Sequence, residues 1–193
     1  TMTLEEVLAV MKDGEAKGLK VVRVHTGDPA IFGAHREQMD ALDRMGIEYE
    51  VIPGVSSFLA TAAALKKEYT LPGVILTRME GRTPMPEGEK LQDLARHHAT
   101  MIIFLSIGMM DELSATLRKE YRPDTPVAVV YKASWPEQKI VRGTLMDIAE
   151  KVKAAGITKT ALTVVGDFLG DDYELSRLYD KTFTHEFRKG VEA

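Results

Sequence analysis

The chain has 193 residues, 45% hydrophobic and 28% charged, with a formal net charge of −4 and no cysteine. That is the composition of one globular domain or two small lobes, and it excludes disulfides, thiolate metal sites and a cysteine nucleophile. The acidic balance argues against broad nucleic-acid binding, which needs a basic surface, and no apolar run approaches the roughly 18 residues of a membrane span. No signal-peptide pattern opens the chain, and the lack of cysteine fits a reducing compartment, so the expected location is the cytoplasm. The first residue is Thr1 rather than an initiating methionine, and a segment is expected to be missing from this end.

Thr3-Leu4-Glu5-Glu6 has the spacing of a capping box, and Leu4, Val7, Leu8 and Met11 recur at helical intervals up to Gly14 and Gly18. Residues 19–25 read as a strand ending in Thr26-Gly27-Asp28-Pro29. Residues 34–45 read as a helix closed by Gly46. A short strand over 47–52 follows, then the turn Pro53-Gly54 and an Ala-rich helix over 56–65. Strand, helix, strand, helix in this order predicts a parallel sheet with crossover helices.

The pattern breaks at Leu71-Pro72-Gly73. Beyond it come a strand over 74–77, a polar loop over 78–89, a helix over 91–97, a strand over 101–105 and a helix over 109–120. Strands over 127–131 and 139–142 follow, then a helix capped by Thr144 that buries Leu145, Ile148, Ala149 and Val152. It ends at Gly156, before a last apolar strand over 161–165 that closes on Gly166. Several of these strands follow one another without a helix, which predicts a mixed sheet. The partition is two α/β lobes, residues 1–72 and 73–193.

Two strand-to-helix turns stand out, Thr26-Gly27-Asp28-Pro29 and Pro53-Gly54-Val55-Ser56-Ser57. Ligand sites in open α/β sheets gather at the carboxyl ends of strands, and glycine lets a ligand approach the backbone. The first turn has a second reading, in which Asp28 caps the next helix with Pro29 at its first position. Neither turn is a phosphate cradle, since there is no G-x-G-x-x-G and no Walker lysine. Ser56 reads as a helix cap rather than a nucleophile, because no histidine is placed to activate it. The five histidines show no metal-ligand spacing; His25, at a strand end, is either structural or part of a site wall. The loop Thr77-Arg78-Met79-Glu80-Gly81-Arg82-Thr83-Pro84 sets two arginines and hydroxyl groups at a strand end, suited to carboxylates or to plain solvation. Lys132 and Trp135 form a second such pairing, with Trp135 equally suited to packing.

Together these stretches resemble the tetrapyrrole (corrin/porphyrin) methyltransferases of cobalamin biosynthesis. The resemblance also rests on Val130-Tyr131-Lys132-Ala133-Ser134-Trp135-Pro136 and on the tail Leu178-Tyr179-Asp180-Lys181-Thr182-Phe183-Thr184-His185. It runs essentially from end to end. The Gly-Asp-Pro and Pro-Gly-Val-Ser motifs belong to the wider superfamily, whereas the Arg-Met-Glu-Gly-Arg-Thr-Pro loop and the tail resemble the branch that methylates C11 of precorrin-4 or cobalt-precorrin-4. The resemblance implies a two-lobed fold with S-adenosylmethionine in the cleft between lobes and an anionic tetrapyrrole as substrate. It implies that Thr26, Gly27, Asp28, Ile31, Ser56 and Ser57 line the cofactor, with Ser106 and Gly166 from the second lobe. Ser106 stands where some relatives have methionine. The substrate's many carboxylates are expected to meet Arg78, Arg82 and Lys132, and the assembly is expected to be a homodimer.

The relatives open with a strand and a Gly-x-Gly-Pro-Gly-Asp loop that nothing here matches, and the linker at Leu71-Pro72-Gly73-Val74 looks short. The expected first lobe is therefore incomplete, lacking a central strand and leaving sheet edges unpaired. The implied reaction, displacement of the sulfonium methyl by a ring carbon, needs chiefly proximity and alignment at about 3 Å, which suits a chain without a nucleophilic triad. The rivals are a methyltransferase acting at another precorrin carbon or on uroporphyrinogen, and a non-catalytic fragment that keeps part of the fold.

Overall fold

The structure, a computed structural model, describes residues 2–69, 73–171 and 176–191. It divides into two compact units, Thr1–Ala64 and Leu65–Ala193. Leu71 and Pro72, on which the boundary expected from sequence rests, lie outside the described residues.

The first unit is built on three helices. The first, α1 (Leu4–Ala16), opens with the predicted capping box: the Glu6 N–H donates to the Thr3 hydroxyl at 3.3 Å, and the Thr3 N–H donates to the Glu6 carboxylate at 2.7 Å. The second, α2 (Arg36–Met45), ends at Gly46 in the left-handed conformation, φ +69°. There the N–H groups of Gly46 and Ile47 return to the carbonyls of Asp43 and Leu42. The third is α3 (Ser57–Leu65).

The predicted strands over 19–25 and 47–52 do not form. Neither has a ladder partner among the described residues, and their apolar side chains stand in the open, Val22 69%, Val24 75% and Ile52 68% exposed. The reason is physical: a β-branched run favours extended backbone, but a strand exists only where another backbone satisfies its N–H and C=O groups. The parallel sheet expected in the first lobe, with its unpaired edges, is thus absent among the described residues.

The second unit carries a five-stranded mixed sheet in the order β1-β2-β5-β3-β4. Its strands are β1 (Val74–Arg78), β2 (Thr100–Phe104), β3 (Pro126–Tyr131), β4 (Lys139–Thr144) and β5 (Ala161–Val165). The β1–β2 pair is parallel; the β2–β5, β5–β3 and β3–β4 pairs are antiparallel. Every residue of β2 is buried, as is the interior of β3, which is why both read as near-continuous apolar runs. On one face Met101, Ile103, Val127, Val129 and Val165 join Leu113 and Leu117 of α5 (Met110–Leu117) and Ile148 and Val152 of α6 (Ile148–Ala154) in a single core. On the other face Ile102, Ala128, Val130 and Val164 are buried as well.

Some boundaries differ from expectation. The helix predicted over 91–97 is the shorter α4 (Leu91–Ala95), and the one over 109–120 begins as a 3₁₀ turn at Ile107–Met109. Thr144 does not cap α6. It ends β4 and donates its N–H to the Asp147 carboxylate at 2.8 Å, so a three-residue turn separates it from the helix. Among the described residues no helix is long and apolar enough to cross a membrane.

Ile103 is 1% exposed at the centre of the core, so Ile103→Ala lowers stability by about 2–5 kcal/mol. Val24→Ala, at an exposed position, changes it by less than about 0.5 kcal/mol. Urea denaturation of the two variants measures both.

Candidate active site

In the first unit the two glycine turns touch. The Asp28 carboxylate accepts the Ala30 N–H through Oδ1 at 2.8 Å and the Gly54 N–H through Oδ2 at 2.8 Å, a bridge between residues 26 apart in sequence. The Asp28 carbonyl also accepts the Ile31 N–H at 3.3 Å. The two backbone donors, Gly54 first and Ala30 second, hold the Asp28 carboxyl below its ordinary value of 3.8 against an opposing desolvation cost. Asp28 therefore caps no helix: α2 begins at Arg36, eight residues on, and the carboxylate is committed to the two turns.

Glycine is required where these turns meet. A Cβ on Gly54 would lie 2.1 Å from the Gly27 carbonyl oxygen. Gly27 has φ +69°, and a Cβ there would stand 3.4–3.5 Å from Ser57 N and Ser56 Cα. The outcome is a patch of bare backbone that brings Thr26, Gly27, Asp28, Ser56 and Ser57 together, with Ile31 half-buried at its rim. Ser56 is buried and its carbonyl accepts the Leu59 and Ala60 N–H groups; Ser57 opens α3. Beside the first turn the rings of His25 and His35 meet edge to face at 5.9 Å. Burial above all, then Arg23 and His35, lowers the His25 pKa and favours its neutral form.

In the second unit the sheet gathers Arg78, Ser106 and Lys132 at one end, where β1, β2 and β3 finish and β5 begins. Ser106 is 1% exposed, and its hydroxyl accepts the Met79 N–H at 2.8 Å while donating to the Phe104 carbonyl at 2.7 Å. Arg78 directs its guanidinium at three backbone carbonyls of the following loop, those of Met79, Thr83 and Pro84. The Lys132 ammonium lies 5.5 Å from the Tyr131 ring centroid, 5.2 Å from that of Trp135 and 3.7 Å from the Glu137 carboxylate. Arg82 is exposed and has no partner among the described residues.

Gly166 is not at this end. The register pairs Met101 with Val165, so Gly166 follows beside Thr100 at the start of β2, while Ser106 lies past its finish. The two are separated by the length of a five-residue strand, about 15 Å. Gly166 instead borders a cavity of about 200 Å³ with Thr100, Tyr121, Arg122 and Asp167. Glycine after a strand is an ambiguous signal in a mixed sheet, because an antiparallel strand finishes at the edge where its parallel neighbours start.

A feature that the residue types did not reveal marks the end that carries Ser106. Leu105, Lys132, Ser134 and Thr160 all have positive φ, between +46° and +72°, and the Lys132 N–H donates to the Thr160 carbonyl at 2.9 Å. Such conformations are costly for non-glycine residues and collect at functional rims. Their only sequence signal is indirect, the place of Leu105, Lys132 and Thr160 at or beside a predicted strand terminus; Ser134 lies in the loop between two predicted strands.

Residues 1–149 match the family Tetrapyrrole (Corrin/Porphyrin) Methylases. The cobalt-precorrin-4 C(11)-methyltransferase of Methanocaldococcus jannaschii is 58% identical over 194 residues, covering 97% of this chain and 75% of that protein. The enzyme of the same name from Priestia megaterium is 49% identical over 202 residues, covering 100% and 78%. Among solved structures, a cobalt precorrin-4 methyltransferase of cobalamin biosynthesis superposes with a TM-score of 0.85 at 48% identity, covering 88% of this chain and 73% of that one. Uroporphyrin-III C-methyl transferase from Thermus thermophilus, complexed with S-adenosyl homocysteine, superposes at 0.68 with 27% identity, covering 86% and 74%.

Gly54→Ala removes exchange protection from the amides of residue 54 and Ala30 and lowers the thermal midpoint, because its Cβ has no room. Gly18→Ala also forces a side chain into positive φ, +66°, but into open space; it costs about 1 kcal/mol and leaves those amides protected. Hydrogen exchange read by NMR separates the two.

Proposed function

The chain belongs to the tetrapyrrole methylase family, and on that premise we propose that it transfers a methyl group from S-adenosylmethionine to C11 of precorrin-4 or cobalt-precorrin-4 in cobalamin biosynthesis. What carries the reading is the 58% identity, over nearly the whole chain, to a relative named for that reaction.

The residues present fit the cofactor. Backbone without side chains at Gly27 and Gly54 admits a ligand to contact distance, and the Asp28 bridge holds both turns in place before anything binds. When bound, S-adenosylmethionine supplies a sulfonium-activated methyl group for an electron-rich ring carbon. What the chain contributes is position: Thr26, Gly27, Asp28, Ile31, Ser56 and Ser57 hold the cofactor, and fixed alignment alone accounts for a large share of such a rate. Ser106 serves through its neighbours, since both its hydrogen bonds are made within the protein. Arg82 is the exposed cation for a substrate carboxylate; Lys132 is the second, oriented by Tyr131 and Trp135. Gly166 has no part in this proposal. In the same reading the protein acts in the cytoplasm as a homodimer.

Calorimetric titration with S-adenosylhomocysteine gives saturable binding that Arg82→Met leaves unchanged, while the same substitution raises the tetrapyrrole KM about tenfold. Equal losses on both ligands contradict the division of roles. With ¹³C-methyl S-adenosylmethionine the product carries label at C11 by NMR; label at another ring carbon favours the uroporphyrinogen-type reaction, in whose class a relative is 33% identical. Light scattering gives twice 21.4 kDa, and 21.4 kDa contradicts the dimer.

A further inference from the structure

Arg78 and Arg82 stand four residues apart on one loop, and the structure gives them different situations. Arg78 is the last residue of β1 and half-buried. One terminal nitrogen of its guanidinium donates to the Met79 carbonyl at 3.2 Å and the Thr83 carbonyl at 3.0 Å, and the other donates to the Pro84 carbonyl at 3.1 Å. A planar fork spans such a set; a single ammonium on a flexible stem does not. The loop is also tied at its base, where the Met79 N–H donates to the buried Ser106 hydroxyl at 2.8 Å and the Met79 side chain is itself buried.

Between these ties lie Glu80, Gly81 and Arg82, all exposed. Nothing apolar in that stretch can pack, and Gly81 adds backbone freedom, so the shape of the loop rests on the Ser106 anchor and the Arg78 fork. An arginine engaged by three carbonyls has little left to offer a carboxylate, whereas Arg82, without a partner among the described residues, has its whole fork to offer.

We propose that Arg78 is a positioning residue, closing residues 79–84 into a fixed turn so that Arg82 alone presents a guanidinium to a substrate carboxylate. The role assigned to Arg82 rests on the function proposed above; the closure of the turn does not. The pair thus works as one device, with a builder and a binder.

Two measurements test it on the whole chain. Trypsin cleavage after Arg82, followed by mass spectrometry under native conditions, speeds up about tenfold or more in both Arg78→Met and Arg78→Lys, although lysine keeps the charge. An unchanged rate in Arg78→Lys, the variant that disturbs the strand end least, overturns the closure. The second measurement is a double-mutant cycle on binding of uroporphyrin, a polycarboxylate porphyrin, read by fluorescence. Arg82→Met weakens binding about tenfold, Arg78→Lys weakens it by a similar factor, and the double variant binds no more weakly than Arg82→Met. Multiplying effects, or near-native binding by Arg78→Lys, overturn the proposal, because either means that Arg78 meets the carboxylate itself. If the unaltered chain binds no uroporphyrin, the assigned substrate class fails, while the cleavage rates still decide whether Arg78 closes the turn.

Discussion

One carboxylate organises the first unit. By accepting an N–H from each of two glycine turns, Asp28 links backbone that the chain places 26 residues apart, and does so in a unit whose extended segments have no ladder among the described residues. The bond requires an ionised carboxylate, and the two donors favour that form. The sign follows from linkage: with the carboxyl pKa lowered by folding, the bridge contributes fully above the ordinary value of 3.8 and loses its contribution as pH falls through the lowered one. The absence of a side chain at Gly54 is the steric counterpart, since anything larger would meet the Gly27 carbonyl. Charge and space together produce a preformed backbone surface.

The second unit solves a different problem by different means. Its sheet is rigid because β2 and β3 are buried on both faces, and the loops at one end inherit that rigidity. Leu105, Lys132, Ser134 and Thr160 hold left-handed backbone there, which a loosely packed loop would relax. Side chains that look like ligand contacts, Ser106 and Arg78, turn their polar atoms inward on the backbone. They define the shape of the rim, whereas Arg82 is left exposed and without a partner among the described residues.

How far the sequence could be read depended on the range of the interactions involved. The Thr3 capping box and the Gly46 terminus are local, and both are found where the residue spacing placed them. The strands of the second unit were legible because burial on both faces writes itself as continuous apolar runs, as in Met101 to Phe104. Residues 19–25, with valines at 21, 22 and 24, carry a similar β-branched signal broken by Lys20 and Arg23, but pairing depends on a partner that the run itself does not encode. The Asp28 bridge, the inward hydroxyl of Ser106 and the guanidinium of Arg78 were illegible for a related reason. Residue type announced a polar side chain at a strand end, whereas its partner was decided in three dimensions. Gly166 shows the converse, a local signal of a strand end that does not say at which end of the sheet it lies, since β5 runs antiparallel to β2 and β3.

In the proposed function the Asp28 carboxylate makes the two glycine turns a single binding unit for S-adenosylmethionine, and the amides of Ala30 and Gly54 report on it directly. Followed by ¹H–¹⁵N NMR during acidification, both amides titrate with one shared midpoint below 3.8, and both shift when S-adenosylhomocysteine is added at neutral pH. Separate midpoints for the two amides, or a ligand that binds while leaving both unmoved, would contradict it.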